Sequence, residues 1–464
     1  MIVPSSRLLW WVAVGVLPFA TVAALVPEGA VLALAIILGV ACLAALDAVL
    51  GQSSLTGIDV ELPPVVRLSK DRAGMIDLCL RNERQAGRRL RLGLPLPAEF
   101  RPDEEDLWTT LPEGSAFARL RWACTPLKRG RYPVRACYLE TGSPWGFWSV
   151  RARREVESEL RVYPNLFTER KSVAALFLNR GAFGVHALRQ VGKGRDYEKL
   201  REYIPGDSYE DIHWKATAKR GRPVTKVFQI ERTQEVYVVI DASRLSARPL
   251  RGRGARGEDR EPGEDASCPA ADLGPSTSVL ERFITAALVL GLAAEQQGDL
   301  FGLLTFSDRI QRFVRARNGR AHYGACRDAL YTLQPQTVAP DFEELSAFIR
   351  LRLRRRALLV FLTSLDDPVL AETFGRNLDL ICRQHLILVN MLQPPGARPV
   401  FSDANVGSVD ELYRHLGGHV LWHNLRELGR TLQRRGVQFS LLEDERLSAD
   451  LVRQYLDVKR RQVL

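Results

Sequence analysis

Acid, base and hydroxyl side chains gather at two places in the chain. The first is residues 201–221, REYIPGDSYEDIHWKATAKRG, which holds Asp207, Asp211, His213 and Lys215. These are the side-chain types of general acid–base chemistry. The second is Asp241-Ala242-Ser243, at the end of the β-branched run EVYVVIDAS. A carboxylate and a hydroxyl two residues apart at a strand end can both point at one ion.

Most of the first segment also has a structural explanation. Pro205-Gly206 suits the centre of a type II turn, with φ fixed by Pro and positive φ allowed by Gly. Asp207 is then a helix N-cap, and Glu210 three residues later completes a capping box. Asp211 suits the positive end of the helix dipole. The helix would carry Ile212, Lys215, Ala216 and Lys219, and Gly221 would stop it. Trp214 is large enough to anchor this helix on a neighbouring domain. Arg201, Tyr203, His213 and Lys215 remain as candidate interaction residues beside Pro205, Gly206, Asp207 and Trp214. An enzyme would use Asp207, Asp211, His213 and Lys215, but the two acids already have capping roles. The expectation is therefore no catalytic residue.

Other constellations are weaker. His415, His419 and His423 are spaced like one helix face, but no Glu follows them as H-E-x-x-H, and Gly417-Gly418 should interrupt the helix. GKG at 192–194 opens no phosphate loop, and no G-x-S-x-G elbow occurs. RLRLRRR at 350–356 reads as a solvated helix end. The formal net charge is +11, yet no nucleic-acid motif or aromatic-interleaved basic surface accompanies it, so no nucleic-acid partner is expected. The seven cysteines are odd in number and irregular in spacing, which suggests neither a disulfide framework nor a zinc knuckle.

These residues need elements to position them. Leu8 to Val26 and Ala30 to Leu46 are uncharged apolar runs, the second reaching Leu50 if Asp47 is tolerated. Each approaches the ~20 residues that span a bilayer. With only Pro27-Glu28-Gly29 between them, residues 1–52 read as a transmembrane hairpin, with helices at about 8–26 and 30–50. Arg7 before it and Arg67, Lys70 and Arg72 after it place both ends in the cytoplasm, giving a multi-pass protein of the cell membrane with cytoplasmic soluble domains. Residues 53–164 alternate with period two between turn signals, as in a β-sandwich. Residues 165–232 connect onward through the motif. Residues 233–464 alternate strands and helices, the pattern of a mostly parallel sheet covered on both faces. Residues 246–278, rich in Gly, Arg, Pro and acids, are expected to be a disordered insertion. DFEELSAFIRLRLRR starts with Asp341 as N-cap and Glu344 as its box partner.

An α/β sheet with D-x-S on its first strand resembles a von Willebrand factor A-type domain, a Rossmann-like fold. The resemblance implies a Mg²⁺ site from D-x-S-x-S, a later Thr and an Asp ending the fourth strand. Asp241 and Ser243 match, and Thr337 in QPQTVAP is the candidate Thr. Leu245 stands where the second Ser belongs, with Ser246 one residue late. Leu365 stands where the Asp belongs, with Asp366 and Asp367 displaced. The implied site is degenerate. GRDYEKLREYIPGDSYEDIHWKATAKRGRPVTKVFQIE also resembles the signature of the bacterial membrane-anchored family known as domain of unknown function fifty-eight. KRGRYPV, TGSPWGFW and the order of elements extend this likeness along the chain. Members are often encoded beside MoxR-type AAA+ ATPases, so the resemblance implies a membrane-tethered assembly role with such an ATPase as partner. A metal-dependent ligand-binding A-type domain is the alternative.

Overall fold

The computed structural model describes residues 1–25, 30–167, 169, 191–204, 209–229, 234–250, 277–400, 402 and 408–461. They form two compact units, Met1–Asn165 and Leu166–Leu464. The turn expected at Pro27-Glu28-Gly29 lies outside the described residues.

The first unit starts with β1 (Ile2–Pro4), followed by α1 (Ser6–Trp11), a π-helical turn (Val12–Val16), α2 (Leu17–Leu25) and α3 (Ala30–Gln52). Among the described residues, α3 alone is a helix long and apolar enough to cross a membrane. The first apolar run is a shorter apolar helix, Ser6–Thr21, which includes the π turn. Nine strands follow: β2 (Ile58–Glu61), β3 (Val65–Ser69), β4 (Gly74–Asn82), β5 (Arg88–Gly93), β6 (Phe100–Pro102), β7 (Leu107–Leu111), β8 (Phe117–Pro126), β9 (Gly130–Gly142) and β10 (Trp148–Tyr163). One sheet has the order β1-β10-β9-β5-β7, with β3 also pairing β10, and the other has the order β2-β4-β8-β6. Period-two alternation turns Ile76, Leu78 and Leu80 of β4 into one core with Leu90 and Leu92 of β5 and Leu160 and Val162 of β10. Each such side chain is worth about 1.5–3 kcal/mol when fully buried.

One turn of this unit receives both ends of the apolar helices. Asp47, fully buried near the end of α3, accepts hydrogen bonds from Ser143 Oγ at 2.5 Å, Trp145 N at 3.0 Å and Phe147 N at 3.1 Å. Trp148 Nε1 donates to the Ala44 carbonyl at 2.7 Å. Ser5, the N-cap of α1, donates through its hydroxyl to Gly146 O at 2.5 Å.

The second unit opens with a hairpin, β11 (Val191–Glu202) against β12 (Val224–Gln229), with the helix α4 (Trp214–Arg220) between its strands. Beyond it run β13 (Glu235–Asp241), β14 (Pro249–Leu250), β15 (Thr277–Ser278), α5 (Val279–Gln296), β16 (Leu300–Phe306), β17 (Ile310–Arg317), α6 (Arg320–Leu330) and α7 (Phe342–Arg352). The chain continues with β18 (Leu358–Leu362), α8 (Pro368–Leu378), β19 (Leu386–Leu392), α9 (Val409–Arg434), β20 (Gln438–Leu442) and α10 (Leu447–Arg461). The main sheet has the order β17-β16-β13-β18-β19-β20. All its pairings are parallel except β16 with β17. Val236, Val238 and Ile240 of β13 pack with α5, α6 and α10, while Tyr237 and Val239 pack with α7, α8 and α9. Strands buried on both faces therefore read as continuous apolar runs.

Three expectations change here. The 246–278 stretch is ordered at both ends, where β14 pairs with β15; the rest lies outside the described residues. Asp341 caps α7 by accepting from Glu343 N at 2.9 Å and Glu344 N at 3.0 Å, but Glu344 Oε1 accepts from Ile310 N at 3.4 Å and Asp341 N donates to Ser307 O. The box is thus only half formed. Gly417-Gly418 does not interrupt α9. Gly418 instead lets the loop at Gly396 approach, since an added Cβ would stand 2.0 Å from the Gly396 carbonyl oxygen.

Candidate interaction surface

The sheet's strand ends hold Asp241 and Ser243, both fully buried. Asp241 Oδ1 accepts from Ser243 N at 2.8 Å, and Oδ2 accepts from Thr363 Oγ1 at 2.7 Å. Burial, the largest influence, raises the Asp241 pKa above the usual carboxylate value, while the bonds from Ser243 and Thr363 oppose it. Ser243 Oγ accepts from Leu245 N at 3.3 Å and so caps a 3-10 turn, Arg244–Ala247. Ser246 Oγ donates to Ser243 O at 2.9 Å. Thr337 lies in a neighbouring loop, tied by Gln336 N to Ala242 O at 2.8 Å and by Arg244 N to Val338 O at 3.0 Å, but Thr337 itself is exposed.

These donors do not fit a hard-cation shell. Leu245 and Leu365, 5% and 2% exposed, fill the positions where a hydroxyl and a carboxylate were needed. Asp366 pairs with Arg248, and Asp367 caps α8 by accepting from Val369 N at 2.9 Å. Among the described residues, no group of three His, Cys, Asp or Glu side chains is placed to hold a metal ion. The arrangement instead makes a hydrogen-bonded junction between β13, β18 and the 336–338 loop. Thr363 was missed in the sequence, although it precedes the conspicuous Ser364 in FLTSLDD. Ser307 and Gln336 were missed too; Ser307 Oγ donates to Gln336 Oε1 at 2.9 Å across the same rim.

The three histidines share α9 without converging on a metal. His415 and His423 sit 4.0 Å from Glu411 and Glu427, and His419 Nδ1 accepts from Val400 N at 3.2 Å.

In the 201–221 segment, Pro205, Gly206 and Asp207 lie outside the described residues, as does the expected cap at Asp207. The helix begins later than the capping pattern implied. Tyr209–Asp211 is a 3-10 turn, Ile212 bridges to Thr225, and α4 starts at Trp214. Its N-cap is His213, whose Nδ1 accepts from Ala216 N at 3.0 Å. The ring takes the place of the usual capping oxygen at this position. Gly221 ends the helix in the left-handed region at φ 66°, its N–H bonded to Thr217 O, as the stop signal implied.

Trp214, the expected anchor, is 68% exposed within its unit. Tyr209 is 74% exposed and stacks on Tyr203 at 5.9 Å between centroids. Ile204, Trp214 and Lys215 are exposed as well. Arg201 pairs through its backbone with Thr225 in the hairpin. The segment is thus a hairpin-borne platform with exposed aromatic rings around a capped helix. Large apolar groups exposed near one another make the segment a candidate interaction surface.

The family model described as Protein of unknown function DUF58 matches residues 199–248 and 272–398. It covers the platform, β13 and the sheet through β19. None of the curated proteins matches the chain. Among solved structures, the conserved hypothetical protein BatB from Bacteroides thetaiotaomicron is 12% identical over 49% of this chain and 99% of its own, with a TM-score of 0.29. An aerotolerance-related membrane protein from Bacteroides fragilis NCTC 9343, carrying multiple mutations to serines, is 12% identical over 48% of this chain and 98% of its own, with a TM-score of 0.27.

Proposed function

We propose that this chain is a membrane-tethered protein-interaction or assembly factor with no reaction of its own. The observation that carries this is the exposure of Tyr209 and Trp214 on the 201–221 platform. Large rings left in solvent favour a protein partner, and aromatic side chains dominate interface energetics. Within the same segment, His213 is committed to capping α4, which weighs against its acting as a general base. The sheet is read as a von Willebrand factor A-type domain whose metal rim has been replaced by hydrogen bonds and leucines.

The tether is read as a two-pass hairpin. In support, Ser5 at the start of the first apolar run and Asp47 near the end of the second bond to the same turn. Helix ends at one level, with Arg and Lys flanking them, favour cytoplasmic placement of the soluble parts. The partner proposed from the family resemblance is a MoxR-type AAA+ ATPase.

The test is affinity capture of the full chain from detergent-solubilised membranes, with Trp214→Ala and Tyr209→Ala variants alongside. The expected result is recovery of an AAA+ ATPase by the parent chain and its loss in both variants. Recovery of no ATPase, or equal recovery by parent and variants, overturns the reading.

A further inference from the structure

Strand β20 ends the main sheet, and among the described residues no strand pairs with its outer edge. An edge strand directs half of its N–H and C=O groups outward, where they template another strand. Natural edges are usually blunted by charge on the strand, by Pro or by a bulge. The sequence of β20, QFSLL, has none of these, and its pairing with β19 is regular.

A groove of about 880 Å³ lies along this edge between α9 and α10. Phe439 and Leu441, both partly buried, form its apolar floor on the α9 side. Gly429 lets α9 sit close, since a Cβ there would stand 3.0 Å from the Phe439 ring. The walls are basic on both sides. Arg426 and Arg430 project from α9, Arg426 lying over the Trp422 ring at 5.0 Å, and Arg461 projects from α10. Arg430 and Arg461 have no ion-pair partner among the described residues, while the one acid on the wall, Asp457, is 3.8 Å from Arg460. The buried Gln454 Oε1, also on the wall, has no hydrogen-bond partner among the described residues.

We infer that β20 and its groove bind an extended acidic segment of a partner protein as a seventh strand of the sheet. Backbone pairing to β20 supplies register, and alternate side chains point to opposite walls. Those facing α9 meet Trp422, Arg426 and Arg430, and those facing α10 meet Gln454 and Arg461. Basic walls select carboxylate side chains, and the floor accepts apolar ones between them. This surface is separate from the 201–221 platform and goes beyond the proposed function in naming a second recognition mode.

The experiment uses the full chain in detergent and a fluorescent octapeptide of alternating Val and Glu, followed by anisotropy. The expected result is saturable binding that weakens by about tenfold or more in an Arg426→Glu/Arg430→Glu variant. A peptide of the same sequence with alternate backbone nitrogens methylated keeps its charges but loses strand pairing, and should also bind at least about tenfold more weakly. Equal binding of the methylated peptide, or no binding of the parent peptide up to about 1 mM, overturns the inference. Sedimentation showing a dimer that dissociates in the arginine variant also overturns it, assigning the edge to a second copy. Unchanged peptide binding by Trp214→Ala separates this surface from the platform, so either reading can fail alone.

Discussion

Asp47 of α3 and Ser143 of the turn before β10 share a hydrogen bond of 2.5 Å across two segments 96 residues apart. The carboxylate is fully buried, and every bond it accepts comes from this one turn. A lone charge in an apolar helix is thereby converted into a rivet between helix and sheet. An uncompensated buried carboxylate costs several kcal/mol, so the turn and the acid depend on each other.

Asp47→Ala leaves the Ser143 hydroxyl and two backbone N–H groups without their acceptor. A hydrogen bond to a charged group is worth about 1.5–3 kcal/mol. The loss should total roughly 2–4 kcal/mol once the turn relaxes. Thermal unfolding of the full chain in detergent, followed by dye reaction with Cys124 and Cys137, reads it out. Both thiols are buried in the first unit, and burial pushes each pKa to about 11. Their exposure should shift to lower temperature, while exposure of Cys326 in the second unit should stay in place.

The adjacent glycines of α9 should respond with opposite sign. Gly418→Ala drives a methyl group into the Gly396 carbonyl and should destabilise by about 1–3 kcal/mol. Gly417→Ala meets nothing within 4 Å and should stabilise the helix by about 0.4–1 kcal/mol. Chemical denaturation of the two variants, compared at the transition of the second unit, checks the pair.

Asp241 should make the second unit less stable as pH rises. Its folded pKa is raised, chiefly by burial, so the native state holds its proton longer than the unfolded chain does. The favourable contribution is full below the usual carboxylate value of about 3.9 and is lost as pH climbs through the folded pKa. Asp241→Asn should flatten this slope, measured as melting temperature against pH. The same variant addresses the metal alternative: millimolar Mg²⁺ should leave the melting temperature of parent and variant unchanged, and a shift confined to the parent would restore a cation role for Asp241.

His385 should act in the other direction. It is buried, and neither ring nitrogen has a hydrogen-bond partner among the described residues. Burial lowers its pKa below 6.5. The unfolded chain therefore binds a proton first as pH falls, and stability is lost as pH drops through the window between 6.5 and the lowered folded value. His385→Leu should remove that acid-side loss. An Asp241→Asn protein that keeps His385 and has the same melting temperature at pH 7.5 and pH 5.5 would contradict the assignment.

Legibility in the sequence followed the range of the forces involved. The apolar run of α3, the alternation of β4 and the continuous strand β13 are local patterns, and each marks an element directly. Gly221 and Asp341 also read correctly, because caps depend on neighbours a few residues away. Start points failed where a long-range contact intervened: Ile212 bridges to Thr225, which delays α4 and makes His213 its cap. Gly418 looked like a breaker because the loop at Gly396 was invisible to a local reading. The rim was half legible. Asp241 and Ser243 stand in one tripeptide, but Thr363, which completes the bond to Asp241, is 122 residues away.

The pairing of β1 with β10 sets an order of events during synthesis. Met1 N donates to the Arg151 carbonyl across a separation of 150 residues. At about 5–20 residues per second, the partner strand leaves the ribosome roughly 8–30 s after β1. The apolar helices emerge within that interval, before the sheet that fixes their ends exists. The turn holding Asp47 is then a late latch, closing on helices made well before it. A chain that stops before Ser143 leaves Asp47 without its donors.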